Sequence, residues 1–376
     1  MQSVGEDRAL IAEIRIRLRD LERSIHSLRA QEATVQQRLD SYKYPVLTLP
    51  NEITSEIFIH FLPPYPECAP IVGPLSPTSL THICRKWRAI ALTTPALWST
   101  LGLSALSSPL LSQLNFEGRS TIINTWLRRS GCSPLSIEID QYWPAASYCP
   151  SEAVLAVIPL FRRWEHLKLT LGGEFFPEID GTVPLLQSLH LALTSETANS
   201  APFASCYMPK LRSVLLTYPF SLDAHLPWDQ LTSLGLHDME LIPCVTILRQ
   251  AVRLEHCSLA FWDDVDVVYT DPNIFLPCLA TLDMKSARQV SGFHAALIVP
   301  ALRQLEIPEL WLEPDPIESL KSFITKSGCK LEGLCIGRTS VGNILVLEDS
   351  YEDAFPDIPH VCVEFIDYGA QSDNNE

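Results

Sequence analysis

Two short stretches decide the fold of this chain. Residues 231–236 read Leu-Thr-Ser-Leu-Gly-Leu, and residues 186–191 read Leu-Gln-Ser-Leu-His-Leu. In each, the second and third leucines are two residues apart, so in an extended strand their side chains point to the same side. The pattern therefore predicts short strands that bury leucine on one face.

The same spacing recurs from residue 164 to residue 336. There are eight such stretches, each with three apolar positions, and 18 of these 24 positions are leucine. Successive stretches begin 20–29 residues apart. A period of this length with this leucine pattern is typical of leucine-rich repeats, in which strands stack side by side. We expect an irregular solenoid of parallel strands with short returning helices at 152–163, 242–252 and 317–326. The stretches begin at Trp164, Leu186, Leu211, Leu231, Leu254, Leu279, Leu302 and Leu331, and a poorer one at Pro134.

The residues between the strand leucines would line the concave face of such a solenoid. Two interpretations stay open, an ordinary solvated sheet face and a shallow groove that binds a segment of a protein substrate. The candidate substrate-binding residues are His166, Lys168, His190, His256, Asp283 and Glu306.

The N-terminal segment 8–42 has a different pattern. Apolar residues recur at steps of three and four, with one step of seven from Leu28 to Val35, and no proline or glycine interrupts them. This pattern predicts a coiled-coil-like heptad helix. Its apolar stripe could pair with a second copy, giving a homodimer through residues 11–39, or pack on another chain or on the body of this protein. The stripe consists of Ile11, Ile14, Leu18, Leu21, Ile25, Leu28, Val35 and Leu39.

Segment 44–103 reads as a small all-α bundle. Leu-Pro-Asn-Glu-Ile at 49–53 places a proline at the start of a helix, where it is tolerated. A proline-rich insertion, 63–77, interrupts the helices and reads as a loop. The segment ends with Cys-Arg-Lys-Trp-Arg-Ala-Ile-Ala at 84–91 and Pro-Ala-Leu-Trp at 95–98.

These motifs, in this order, resemble the F-box, and the departure from the usual pattern is the insertion. The resemblance implies the substrate-recognition subunit of an SCF-type cullin-RING E3 ubiquitin ligase, which docks on the Skp adaptor and through it on cullin and the RING subunit. Such a receptor acts by proximity and performs no bond chemistry, so an enzyme is not expected. The implied adaptor-binding residues are Leu49, Pro50, Glu52, Ile53, Ile57 and Phe61, with Leu97 and Trp98 nearby.

A second interpretation is a scaffold that works without the adaptor. In that case the repeats bind partner proteins, and the chain self-associates through its N-terminal helix. The sequence gives no catalytic, phosphate-binding or metal-binding motif, so we expect no cofactor and no metal.

Composition limits the partners further. The net charge of −16 disfavours coating nucleic acid or an anionic membrane. The eleven cysteines contain no Cys-x-x-Cys pair, which favours free thiols and a cytoplasmic or nuclear location. The predicted organisation is a heptad helix at 8–42, an F-box domain at 44–103, a leucine-rich-repeat-like domain at 112–366 and an acidic disordered tail at 367–376.

Overall fold

The chain forms two compact units, residues 1–57 and residues 58–376. The predicted tail at 367–376 lies outside the described residues. The computed structural model describes residues 2–42, 45–104, 116–140, 151–171, 179–193, 203, 205–217, 226–261, 267–270, 273–285, 290–338 and 347–365.

The first unit is mainly one long helix, α1, Gln2–Ser41. The heptad stripe predicted this helix, which begins six residues earlier than expected. At 1.5 Å per residue, its 40 residues span about 60 Å. A single 3₁₀ turn, Pro45–Thr48, precedes Pro50 and helix α2, Asn51–Phe61.

The helices of the second unit are short, as the sequence predicts for return segments. The predicted segments 152–163, 242–252 and 317–326 each contain helix. After α2, the α-helices are α3 (Pro77–Leu80), α4 (Arg85–Thr93), α5 (Phe116–Arg129), α6 (Ser151–Val157), α7 (Leu241–Leu248), α8 (Phe293–Ala296) and α9 (Pro316–Ser327), then α10 (Glu348–Ala354). The 3₁₀ turns are Pro95–Trp98, Ile158–Arg163, Trp228–Gln230 and Glu309–Leu312.

Within the described part of the chain, eleven strands form one parallel sheet, and they lie side by side in chain order. This confirms an α+β arrangement with a long N-terminal helix and a large parallel sheet joined by short helices. The strands are β1 (Thr100–Ser104), β2 (Leu135–Asp140), β3 (Trp164–Leu171), β5 (Ser188–Leu193), β7 (Ser213–Thr217), β8 (Ser233–Met239), β9 (His256–Phe261), β12 (Thr281–Lys285), β15 (Gln304–Pro308), β16 (Gly333–Arg338) and β17 (His360–Phe365).

Three two-stranded parallel pairs lie between the main strands in sequence. They are β4 (Asp180–Thr182) with β6 (Ser205–Tyr207), β10 (Val267–Val268) with β13 (Val290–Ser291), and β11 (Ile274–Phe275) with β14 (Leu297–Ile298).

The strand leucines form the core of the second unit. Neighbouring strands pair in register, so that Leu234 lies between Val214 and Cys257. All three side chains are buried, as are the first-position residues such as Leu231. A fully buried Leu or Val side chain contributes about 1.5–3 kcal/mol, so the stack of apolar residues is the main stabilising feature of the sheet.

The sheet has one more strand at each end than the leucine pattern indicated. β1 carries buried Leu101 and Leu103, which fall within the segment 44–103 interpreted as F-box. β17 carries Val361 and Val363, which are only partly buried because they lie on an edge strand. Among the described residues, no helix is both long enough and apolar enough to cross a bilayer.

Candidate functional site

Helix α2 presents an exposed apolar face. It begins directly after Pro50, whose carbonyl accepts a 3.0 Å hydrogen bond from the Thr54 amide. Ile53, Ile57 and Phe61 are spaced by four residues and therefore lie on one face. Their exposed fractions are 51%, 50% and 36%. These three residues, termed here the α2 apolar face, belong to the expected adaptor-binding set; of its other members Glu52 is exposed and Leu49 half-buried.

The C-terminal turn of α2 belongs to the second unit and packs within it. Phe58 is buried, and its ring meets Trp87 edge to face with centroids 4.9 Å apart. Such aromatic pairs contribute about 0.5–1.5 kcal/mol beyond burial. The Phe58 contact fixes which side of this turn faces the core. Phe61, three residues later, stays partly exposed.

The Cys-x-x-Trp motif has a local structural role. Cys84 is the N-cap of α4, and its Sγ accepts a 3.4 Å hydrogen bond from the Trp87 amide. Four residues after α4, Leu97 and Trp98 are fully buried. The Trp98 indole Nε1 donates to the Ala91 carbonyl at 2.9 Å, and its ring meets Trp126 edge to face. Leu97 and Trp98 are therefore interior residues, and Trp98 packs against α4 and α5.

A second candidate surface is the face of the sheet opposite the leucine core, called here the polar face. Each strand contributes residues that alternate with its buried leucines, and the register places equivalent residues of neighbouring strands side by side. These residues form two rows across the polar face. The first row is Ser136, His166, Ser188, Ser213, Ser233, His256, Thr281, Gln304, Gly333 and His360. The second is Gly102, Glu138, Lys168, His190, Leu215, Gly235, Ser258, Asp283, Glu306, Cys335 and Cys362.

All six predicted substrate-binding residues lie in these rows, but their surroundings differ. Lys168 is paired with Glu138, with Nζ and Oε1 2.7 Å apart. His190 is half-buried, and burial together with Lys168 and His237 lowers its pKa to about 4. His256 is exposed on the first row. A neutral histidine at position 190 offers hydrogen bonding to a ligand without charge.

The proline-rich insertion covers one end of the polar face. The Tyr65 ring stacks on the His166 imidazole with centroids 3.6 Å apart and planes 15° apart. The Tyr65 hydroxyl donates a 2.8 Å hydrogen bond to Ser188 Oγ. His166, predicted to contact substrate, is therefore already occupied by a residue of this chain.

Cys68 continues the same cover over the first strands. A Cβ at Gly102 would come within 3.0 Å of the Cys68 Cβ, so glycine lets the segment approach β1. Burial raises the pKa of Cys68 to about 12, with a further contribution from Glu138. The next residues include buried Ala69 and Ile71, and Ser76 Oγ donates to the Ile71 carbonyl at 2.8 Å. Residues 63–77 thus form a packed cover of the polar face at β1, β3 and β5.

The far end of the polar face carries a connected polar network. Ser258 Oγ lies 3.0 Å from His237 Nε2 and donates to Asp283 Oδ2 at 3.3 Å. Lys285 Nζ lies 3.0 Å from Asp283 Oδ2 and 3.6 Å from Glu306 Oε1. Burial and the neighbouring Asp283 raise the pKa of Glu306. One lysine is shared by two carboxylates here, which leaves this end of the face acidic.

An open pocket of about 210 Å³ lies at the same end. Its walls come from strands β12, β15, β16 and β17. Gln304 folds over Gly333, where a Cβ would meet the amide oxygen. The pocket is lined by Thr281, Asp283, Gln304, Glu306, Gly333, Cys335, His360 and Cys362, together with Leu282, Leu305 and Leu334.

Sequence reasoning placed the two rows but missed Tyr65, strand β17 and, with that strand, Cys362 of the pocket. The signal for Tyr65 was weak, because one tyrosine in a proline-rich loop does not reveal what it contacts.

Compared with protein-family models, the chain matches none. A comparison with curated proteins finds no matching relative.

Proposed function

We propose that this chain is the substrate-recognition subunit of an SCF-type cullin-RING ubiquitin ligase. The proposal rests on the motif order of residues 49–98 and, above all, on the α2 apolar face. Three large apolar side chains on successive turns of one helix remain about half exposed. Exposed apolar surface grouped in this way is typical of a protein-binding site.

The α2 apolar face is suited to docking as a helix face in a groove. Full burial of such a side chain contributes about 1.5–3 kcal/mol. Since the three are about half exposed, their remaining surface would contribute on the order of 2–4 kcal/mol before the entropy of association. That range is enough for these residues to dominate an adaptor interface, whereas Leu97 and Trp98 are buried and offer it no surface.

For the sheet we infer an irregular leucine-rich-repeat solenoid. Three features support it: all main strands are parallel, they follow one another in chain order, and register pairs the apolar residues of each strand, mostly leucines, with those of its neighbours. Each strand buries its apolar face only by stacking on the next, which is the reason such repeats occur in arrays.

We further propose that substrate contacts lie on the uncovered part of the polar face. This part runs from His256 on β9 to the pocket beside Glu306. The covered part begins at β1 and includes His166, which stacks under Tyr65. His256, Asp283 and Glu306 are therefore favoured over His166 and Lys168 as substrate-contacting residues.

The test is a pull-down of the full chain on the Skp adaptor. The variant Ile53→Ala/Ile57→Ala/Phe61→Ala removes the α2 apolar face. Its matched control, Ile242→Ala/Val268→Ala/Phe275→Ala, removes three other exposed apolar side chains of the second unit. We expect wild type and control to bind equally and the α2 variant to bind at least about tenfold more weakly, a difference of about 1.4 kcal/mol. Absence of binding by wild type, or equal loss in both variants, would refute the adaptor role.

A second candidate is the self-associating scaffold that needs no adaptor. The observation that favours it is the heptad stripe of α1, whose residues from Ile11 to Leu39 are exposed along the whole helix. A stripe of this kind is buried when two such helices pair. Dimerisation would use the α1 stripe and adaptor docking the α2 apolar face. The chain mass therefore tests the first, and the pull-down tests the second.

A further inference from the structure

Three thiol and carboxylate ligands converge at the end of the sheet. Cys335 on β16 and Cys362 on β17 are directly paired across the parallel register. Glu364 lies two residues beyond Cys362 and therefore on the same face of the strand. The Sγ atoms of both cysteines and a carboxylate oxygen of Glu364 all lie within 4.8 Å of one another.

We propose that Cys335, Cys362 and Glu364 form a binding site for a zinc-class divalent cation. This site is inferred from its own donor atoms and does not rest on the proposed ligase function, although Cys335 and Cys362 line the pocket beside Glu306. Two thiolates and one carboxylate are a donor set that Zn²⁺ uses in proteins. Three protein ligands leave the fourth position of a tetrahedral ion to solvent.

The distances require only a small adjustment for binding. With Zn–S bonds of about 2.3 Å, two sulfurs of a tetrahedral site lie about 3.8 Å apart. Donor atoms within 4.8 Å would therefore approach by about 1 Å or less. Cys335 is half-buried, whereas Cys362 and Glu364 are exposed, so the latter two side chains have room to rotate.

The charges around the site favour a cation. Glu306 is paired in register with Cys335, and Asp283 lies beyond it in the same row. Lys285 is the cation that contacts these two carboxylates. The exposed Glu364 carboxylate adds a further negative charge beside the two thiols. A bound cation would offset this negative potential and stabilise the thiolates.

Sequence spacing gives no signal for this site. Cys335 and Cys362 are separated by a full repeat, and neither belongs to a Cys-x-x-Cys pair. They meet because consecutive strands lie side by side, so that equivalent positions one repeat apart become neighbours.

The experiment uses Co²⁺ as a spectroscopic probe of the reduced full chain, followed by displacement with Zn²⁺. We expect one equivalent of Co²⁺ to give a thiolate-to-cobalt charge-transfer band that Zn²⁺ removes. The variants Cys335→Ser and Cys362→Ser should lose the band, and Glu364→Gln should bind more weakly. The matched control Cys132→Ser/Cys278→Ser, which changes two other exposed cysteines, should keep it.

Three outcomes would overturn the proposal. They are a wild-type chain without the band, a band that survives in both single-cysteine variants, or a Cys335–Cys362 disulfide in the chain purified under reducing conditions. Circular dichroism accompanies each titration, so that loss of the band in a folded variant reports on the ligand itself. Because two cysteine variants and the glutamate variant are independent, one that fails to fold does not remove the test.

Discussion

Tyr65 stacks on His166 across 101 positions of sequence, with ring centroids 3.6 Å apart. This contact holds the proline-rich insertion against the polar face of the sheet. The Tyr65 hydroxyl adds a hydrogen bond to Ser188 on the neighbouring strand. The insertion is therefore a structural part of the sheet surface, and it decides which strands remain accessible to a partner.

Removing Tyr65 should loosen this cover. Tyr65→Phe loses only the hydrogen bond, a change of about 0.5–1.5 kcal/mol in the free energy of unfolding. Tyr65→Ala also loses the ring stack, for a further loss of about 0.5–1.5 kcal/mol. Urea denaturation of the three proteins measures both steps. Equal stability of the alanine and phenylalanine variants would show that the stack contributes nothing.

A buried ion pair should be the most sensitive polar contact of the sheet. Arg338 donates from Nε and Nη2 to the two carboxylate oxygens of Glu309, each at 3.0 Å, and Tyr351 donates to Glu309 at 2.8 Å. Arg338→Met leaves a buried carboxylate without its cation, which should cost about 3–5 kcal/mol.

The matched control for this pair is Arg303→Met. It breaks the exposed Arg303–Glu332 pair between neighbouring segments of the same sheet. Exposed pairs contribute about 0–1 kcal/mol, so we expect little change in the denaturation midpoint. Comparable losses in the two variants would contradict the assignment of Arg338 to a buried network.

His294 should make the fold sensitive to acid. It is buried, its Nε2 lies 3.0 Å from Ser319 Oγ, and burial lowers its pKa from 6.5 to about 4. The unfolded chain therefore binds the proton first as pH falls below 6.5. The contribution of His294 to the free energy of unfolding is therefore fully present above pH 6.5 and is lost progressively between pH 6.5 and pH 4. Each unit of difference between the folded and unfolded pKa corresponds to about 1.4 kcal/mol.

The measurement compares unfolding free energies at pH 7 and pH 4.5. The glutamine in His294→Gln can still form hydrogen bonds but does not titrate. Between pH 7 and pH 4.5, this variant should therefore lose less unfolding free energy than wild type, by on the order of 2 kcal/mol. His82→Gln, a change at an exposed histidine, should behave like wild type. A His294 variant with undiminished acid sensitivity would show that other groups account for it.

The heptad stripe should bring two copies together. We expect light scattering to give twice the chain mass of 42.1 kDa. Leu21→Asp/Leu28→Asp places charges in the seam and should give the monomer mass. Ala30→Asp/Gln37→Asp adds the same charge on the outer face and should leave the dimer intact. A monomeric wild type would instead mean that the stripe serves another partner.

Periodicity was enough to predict the strands and the long helix. Leu234 and Leu236 lie two residues apart and are buried on one face of β8, because alternation in a strand is a local property of the backbone. The stripe from Ile11 to Leu39 likewise predicted α1. The F-box resemblance and the adaptor role remain predictions, since they concern a partner.

What the sequence by itself determined is local: which side chains a strand buries, and where a helix can start after Pro50. Only the tertiary structure decided what lies against what. Tyr65 meets His166, and Cys335 meets Cys362, through contacts between residues far apart in the chain. No local pattern encodes such pairs, because they depend on how the strands stack and on where an irregular loop finds complementary surface.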